Sequence, residues 1–160
     1  MELRQEHSDD RWEVEALFDK AFAPGREALS SYRLRDDVPP VAELCLVARD
    51  GAGILGGAVR FWPVRIGAHK ALLLGPIAVH PTRQGEGLGG QMMRAVVGQA
   101  QDAWGRLLLV GDAPYYSRFG FAQLNHVEMP PPTNPERVLG LGDWTGISGR
   151  VTRWNETNAS

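Results

Sequence analysis

Apolar residues along this 160-residue chain follow two rhythms, the three-to-four spacing of helices and the short runs of strands. Met1–Glu6 is a candidate for a short first strand. From Asp9, a candidate N-cap, Trp12, Leu17, Phe18 and Phe22 recur at helical spacing until Pro24-Gly25. Ala28–Asp36 predicts a second short helix, stopped near Pro39-Pro40. Glu43–Arg49 predicts a strand and Asp50-Gly51 its turn; Ile54–Ile66 predicts the return strand, with Pro63 marking an edge or a bulge. Ala71–Val79 is a third apolar strand, broken by Gly75-Pro76. A proline gives up a ladder hydrogen bond, so the chain is expected to bulge or leave its neighbour there.

Beyond a glycine-rich stretch, Leu88, Met92, Val96 and Ala100 fall four apart on one helical face, and Gly105 suits the position just past the helix end. Met92, Met93 and Trp104 on that helix read as core packing. Leu107–Val110 predicts a fourth strand, Tyr115–Phe121 a tight segment leading into more β, and Pro130–Pro135 a proline-rich loop. Gly146–Trp154 predicts a closing strand. No repeat and no dividing linker interrupts this order, so one domain over 1–154 is expected, with a frayed tail at 155–160.

Composition narrows the field. Apolar residues make up 43% and charged residues 22%, ordinary for a globular domain, and a net charge of −2 gives no general affinity for nucleic acid or anionic membrane. No apolar run approaches the roughly 20 residues of a membrane helix. The N-terminal MELRQEHSDD is charged from its second residue and predicts no secretory leader. Cys45, the single cysteine, allows no internal disulfide. A cytoplasmic protein, monomer or homodimer, is the expectation.

The segment HPTRQGEGLGG, residues 80–90, holds four glycines between a strand and a helix. Backbone N–H groups exposed at a helix start form an anion nest, and glycine lets a phosphate approach without a Cβ in the way. Three readings compete with a bland one, a glycine-rich helix start without a ligand. A P-loop fails, because Gln91-Met92 stand where a lysine and a hydroxyl are needed. The dinucleotide pattern GxGxxG is present at Gly85, Gly87 and Gly90, with Asp112 ending the next strand. Against it, His80–Gln84 separate strand from glycines, and most of the sheet precedes the loop as hairpins. The third reading takes the spacing as Gln84-x-x-Gly87-x-Gly89.

In that spacing, IAVHPTRQGEGLG resembles the pyrophosphate loop of the GCN5-related N-acetyltransferases, the GNAT superfamily. One helix and one strand later, YYSRFGF (Tyr115–Phe121) resembles the YxxxGF segment that lies next to the thioester in that family. VGDAPYYSRFGF is close to a bacterial subgroup of predicted acetyltransferases, and the resemblance runs from about Leu3 to Trp154.

The resemblance implies an α/β GNAT fold. Its mixed central sheet has antiparallel N-terminal strands and a splayed parallel pair, with helices on both faces. It implies acetyl-CoA as cosubstrate, no metal, and direct transfer to a small-molecule or peptide amine. By position the splayed pair is Ala71–Val79 and Leu107–Val110. Ile77, Ala78 and Val79 would then face the pantetheine arm and thioester, with a backbone N–H near Ala78 as oxyanion donor. Gln84, Gly85, Glu86, Gly87, Leu88 and Gly89 would hold the diphosphate. Tyr116 aligns with the tyrosine that hands a proton to the departing sulfur, while Tyr115, Phe119 and Phe121 read as core aromatics.

The base stays open among Glu43, His69, His80 and Asp112. His7 and His126 are isolated, and no histidine shows metal-ligand spacing. Cys45, in an apolar strand, reads as an inert thiol. A non-catalytic acyl-CoA-binding or regulatory module is the alternative from a different class. The acceptor pocket is expected near Ala23–Pro40 and Pro130–Gly142.

Overall fold

In chain order the elements are β1 (Glu2–Gln5), α1 (Arg11–Ala21), β2 (Leu46–Arg49), β3 (Leu55–Ile66), β4 (His69–Val79) and α2 (Leu88–Trp104). There follow β5 (Arg106–Val110), α3 (Ala113–Tyr116), β6 (Ala122–Gln123), β7 (Val127–Glu128), β8 (Val138–Gly142) and β9 (Gly149–Arg153). The computed structural model describes residues 1–21, 30–35 and 37–155. Phe22, Pro24-Gly25, the ends of the expected second helix at 28–29 and 36, and the tail at 156–160 lie outside the described residues.

The strands form one mixed sheet in the order β1-β2-β3-β4-β5-β8-β6, with β9 on β3 and β7 on β9. β1 to β4 run antiparallel, with β2–β3 and β3–β4 joined as hairpins and α1 between β1 and β2. In the β2–β3 turn, Asp50 Oδ1 accepts the N–H groups of Ala52 (2.9 Å) and Ile54 (3.0 Å). β4 and β5 are parallel, and α2 makes the crossover between them. Gly105, with φ of +80°, ends that helix by donating its N–H to the Gln101 carbonyl at 2.7 Å.

Helices cover both faces. On β3, Ala58 packs with Val14, Leu17 and Phe18 of α1, whereas its neighbour Val59 packs with Met93, Val96 and Ala100 of α2. Consecutive strand residues point to opposite faces, so α1 and α2 lie on opposite sides. The expected α2 stripe is buried: Leu88, Met92, Val96 and Ala100 are at most 4% exposed. The Gly75-Pro76 break is a bulge. Val59 faces Ile77 and Phe61 faces Leu74, so two residues of β4 stand opposite Arg60 alone. Pro63 lies between the stretches of β3 that pair with β2 and with β9, where a missing donor is tolerated.

Four expectations change. Trp12 is 83% exposed, and the buried stripe of α1 is Val14, Leu17 and Phe18. Asp10 rather than Asp9 closes the helix entry, its Oδ2 accepting the His7 N–H at 2.8 Å. Glu43 sits in a 3-10 turn over Ala42–Leu44, so that strand begins only at Leu46. The expected second helix is, over its described part, a 3-10 turn at Ser30–Arg35. β8 has no counterpart among the expected strands; the missing Cβ of Gly140 leaves room for Leu124 and Trp144, each only 2.7 Å from where that Cβ would stand.

Candidate active site between the parting strands

β4 and β5 are paired only at Leu72 with Leu107 and Leu73 with Leu108. Beyond that β5 parts from β4 while staying paired with β8 along its whole length. A cleft of about 520 Å3 opens between them, walled by Leu74, Gly75, Ile77, Gly111, Tyr115 and Tyr116 among others. The backbone phase of β4 decides what faces it. His80 donates its N–H to the Gly56 carbonyl at 2.8 Å, and the same register pairs Ala78 with Ala58. Residues two apart share a direction in an antiparallel ladder, so Ala78 turns its N–H and C=O toward β3. Ile77 and Val79 turn theirs the other way, where β5 has left. Of the three residues expected to face the arm, Ala78 keeps its N–H for the sheet, and its side chain, 5% exposed, packs against α1.

The glycine loop follows directly. His80 Nδ1 accepts the Thr82 N–H at 3.2 Å and opens a short turn over Pro81–Arg83. Gly85 (φ +88°) and Gly87 (φ +77°) then take left-handed conformations, and Gly87 caps α2. The N–H groups of the first turn of α2 have no carbonyl of their own helix to bond. Leu88 buries its side chain against Ala48 and Met92, so only its backbone faces the loop. Exposed Gln84 precedes the glycines, and Glu86 reaches Arg83 at 3.7 Å. Arg83 Nη2 in turn donates to Asp50 Oδ2 at 2.6 Å, tying the loop to the β2–β3 turn. Backbone N–H groups at Asp50, chiefly that of Ile54, together with the Arg83 guanidinium, hold its carboxyl below the usual range.

Tyr116 ends α3, half-buried, with its ring against Gly111 and edge-on to Tyr115 and Phe121. Burial, with a smaller contribution from Tyr115, pushes its phenol up to about 12. Among the described residues its hydroxyl has no hydrogen-bond partner. Tyr115 is more than a core aromatic: its hydroxyl lies 3.3 Å from where a Gly89 Cβ would stand, at the first turn of α2. Of the four base candidates, only Asp112 lines the cleft, while accepting the Tyr115 N–H at 3.3 Å. His69 is exposed at the far end of β4, Glu43 is exposed on its turn, and His80 is engaged with Thr82.

Cys45 is buried and donates to the Val41 carbonyl at 3.4 Å, and burial pushes its thiol up to about 11. Such a thiol is a poor nucleophile at neutral pH. Arg35, unforeseen from the sequence, also lines the cleft. Its guanidinium lies 3.9 Å from the Tyr32 ring centroid and 5.5 Å from that of Trp62. Stacking of this kind has no sequence period, and SYRLR offers no other signal. The dinucleotide alternative fails on the fold, because β4 and β5 share only two residue pairs and the rest of the sheet around them is antiparallel.

The family model described as "Acetyltransferase (GNAT) domain" matches residues 42–123, which span β2 to β6 and so contain the cleft, the loop and Tyr116. The N-acetyltransferase YhbS of Escherichia coli K12 is 30% identical over 160 residues, covering 94% of this chain and 95% of its own. The crystal structure of E. coli YhbS in complex with CoA superposes with a TM-score of 0.79 at 26% identity, over 95% of this chain and 88% of that one. A GNAT family acetyltransferase from Brucella melitensis in complex with acetyl-CoA gives a TM-score of 0.69 at 29% identity, over 94% of each chain.

Proposed function

This chain belongs to the GNAT family of acetyltransferases, and on that footing we propose that it transfers acetyl from acetyl-CoA directly to an amine acceptor. The observation that carries the reading is the parting of β4 and β5, with free β4 backbone on one side and the Tyr116 phenol on the other. The cosubstrate fits the residues present. Left-handed Gly85 and Gly87 and the open first turn of α2 make an anion cradle beyond the end of β4, whose Leu73–Ile77 stretch lines the cleft. When bound, acetyl-CoA supplies the activated acetyl group.

The chain's own residues do the rest. N–H groups from Gly85 to Gly89 hold the diphosphate, with Gln84 and Glu86 flanking them. Ile77 and Val79 present backbone N–H and C=O to the pantetheine arm, and one of these N–H groups takes the oxyanion role expected near Ala78. Tyr116 keeps its proton at neutral pH and delivers it to the departing sulfur. Asp112, through water, takes the proton of the incoming amine. Cys45 stays outside the chemistry. Residues 1–154 act as one domain, with the cytoplasm as the expected compartment.

The test is a panel of amine acceptors with acetyl-CoA, read by free-thiol release, beside thermal melts with acetyl-CoA and with NAD. Stabilisation by acetyl-CoA but not NAD, with thiol released only when amine is present, is expected. Stabilisation without turnover on any amine would leave a non-catalytic acyl-CoA-binding module. Stabilisation by NAD alone would overturn the reading.

A further inference from the structure

A second cavity, of about 980 Å3, opens on the sheet face opposite α2. The face is fixed by alternation along β4: Leu72 and Leu74 pack with the α2 residues, while Ala71 and Leu73 pack with the cavity residues Leu34, Val127, Val138 and Val151. The floor is apolar, with those four and Met129 at most 7% exposed. The rim is cationic. Arg33 comes from the Ser30–Arg35 turn and Arg150 and Arg153 from β9, against Glu128 as the one lining carboxylate among the described residues. Glu128 meets Arg150 only at 3.8 Å, with side chains 74% and 86% exposed, a contact that does little to neutralise the rim. Three cations to one anion is a local excess in a chain with 17 basic and 19 acidic residues.

The cavity adjoins the transfer cleft. Arg35 and Arg137 line the cleft, and their chain neighbours Leu34 and Val138 line the cavity, so these two segments form a common wall. None of Gly85 to Gly89 lines either space, so the coenzyme's diphosphate does not account for the arginines. Arginine matches carboxylate and phosphate through paired N–H donors, and clustered cations around an apolar floor attract an organic anion. The volume is that of a small-molecule site.

We infer that this cavity receives the acceptor, and that the acceptor is a small amine bearing a carboxylate or phosphate. The inference rests on the proposed acetyl transfer. The anion is held on the arginine rim while the amine reaches the cleft past the wall of Arg35 and Arg137.

The experiment compares matched acceptors with acetyl-CoA: amino acids against their amides, and aminoalkyl phosphates against the corresponding amino alcohols. Charge-assisted hydrogen bonds lead us to expect at least about tenfold higher kcat/KM for the anionic member. The carboxylate and phosphate pairs separate the two sources of charge. Arg150→Glu combined with Arg153→Met should raise KM for anionic acceptors about tenfold or more, leaving KM for acetyl-CoA unchanged. Binding is read separately, by calorimetric titration of the same anionic amines into the CoA-saturated protein. Saturable binding lost in the double variant supports the site even where turnover is slow. Neutral members acetylated as well as anionic ones, or anion binding absent or unaffected by the double variant, would overturn the inference and leave the proposed transfer standing. Failure of acetyl-CoA to stabilise the protein would instead remove the transfer itself.

Discussion

Tyr116→Phe tests the chemistry most directly, and its magnitude follows from the surroundings of the ring. The substitution keeps the packing on Gly111, Tyr115 and Phe121 and removes a hydroxyl that no described residue hydrogen-bonds. Stability should therefore change by less than about 1 kcal/mol. With its phenol at about 12, only about one Tyr116 in 10⁵ is ionised at pH 7, so the donor is loaded. That same pKa makes it a weak acid toward a thiolate with an ordinary value near ~8.5. Burial raises thiols too: Cys45 in this fold stands at about 11. A sulfur similarly enclosed in the cleft would be raised in the same direction as the phenol, which narrows the gap and permits transfer as the C–S bond breaks. The acid's contribution then sits toward the low end of the usual range, and kcat should fall about 10²-fold with the acetyl-CoA thermal shift unchanged. The assay is single-turnover acetylation at saturating acetyl-CoA, across pH 6–11. Wild-type enzyme should show no alkaline loss from the phenol below about pH 11, because the raised pKa keeps the proton on. Tyr115→Phe is the control: with its hydroxyl at the first turn of α2, it should act on acetyl-CoA affinity more than on the chemical step. A Tyr116→Phe rate equal to wild type, with chemistry shown to limit, would refute the assignment and give the proton to water.

Gly87→Val forces a β-branched residue to φ of +77° and places it at the cradle, so the acetyl-CoA-induced rise in Tm should vanish. The readout is the shift on adding ligand, since the variant's own Tm also falls. Asp50→Asn weakens the 2.6 Å contact that ties Arg83 and the loop to the β2–β3 turn. KM for acetyl-CoA should rise severalfold with kcat little changed, and equal KM values would show that the loop holds its shape unaided. Asp10, 2% exposed, accepts from Arg4, Arg49 and the His7 N–H, which hold its carboxyl far below the usual range. Its contribution is complete above the unfolded value near ~4 and is lost as pH falls toward the folded one. Urea melts from pH 3 to 7 should show wild type weakening below about pH 4, and Asp10→Asn about 2–3 kcal/mol less stable at pH 7 with a flatter acid limb.

Features set by local chemistry were legible in the sequence, and features set by a partner strand were not. The stripe Leu88, Met92, Val96 and Ala100 is periodic, and the helix it predicts is there. The glycines of the loop declare their backbone freedom, and Gly85 and Gly87 use it. β8 is a strand despite two glycines in VLGLG because β5 supplies a ladder and Leu124 and Trp144 fill the space over Gly140. Arg35 reached the cleft through ring contacts without period. The orientation of the backbone near Ala78 has the same origin. Before the bulge the even residues Leu72 and Leu74 face α2; after it the odd residues Ile77 and Val79 do. The extra residue at Gly75-Pro76, opposite Arg60, reverses the parity of the strand. Backbone direction alternates with the same period as the side chains, so the reversal also decides which N–H groups meet the cleft. Sequence marks that a bulge is present, but its length and partner residue come from the register with β3. Those two quantities decide which N–H groups near Ala78 face the gap left by β5.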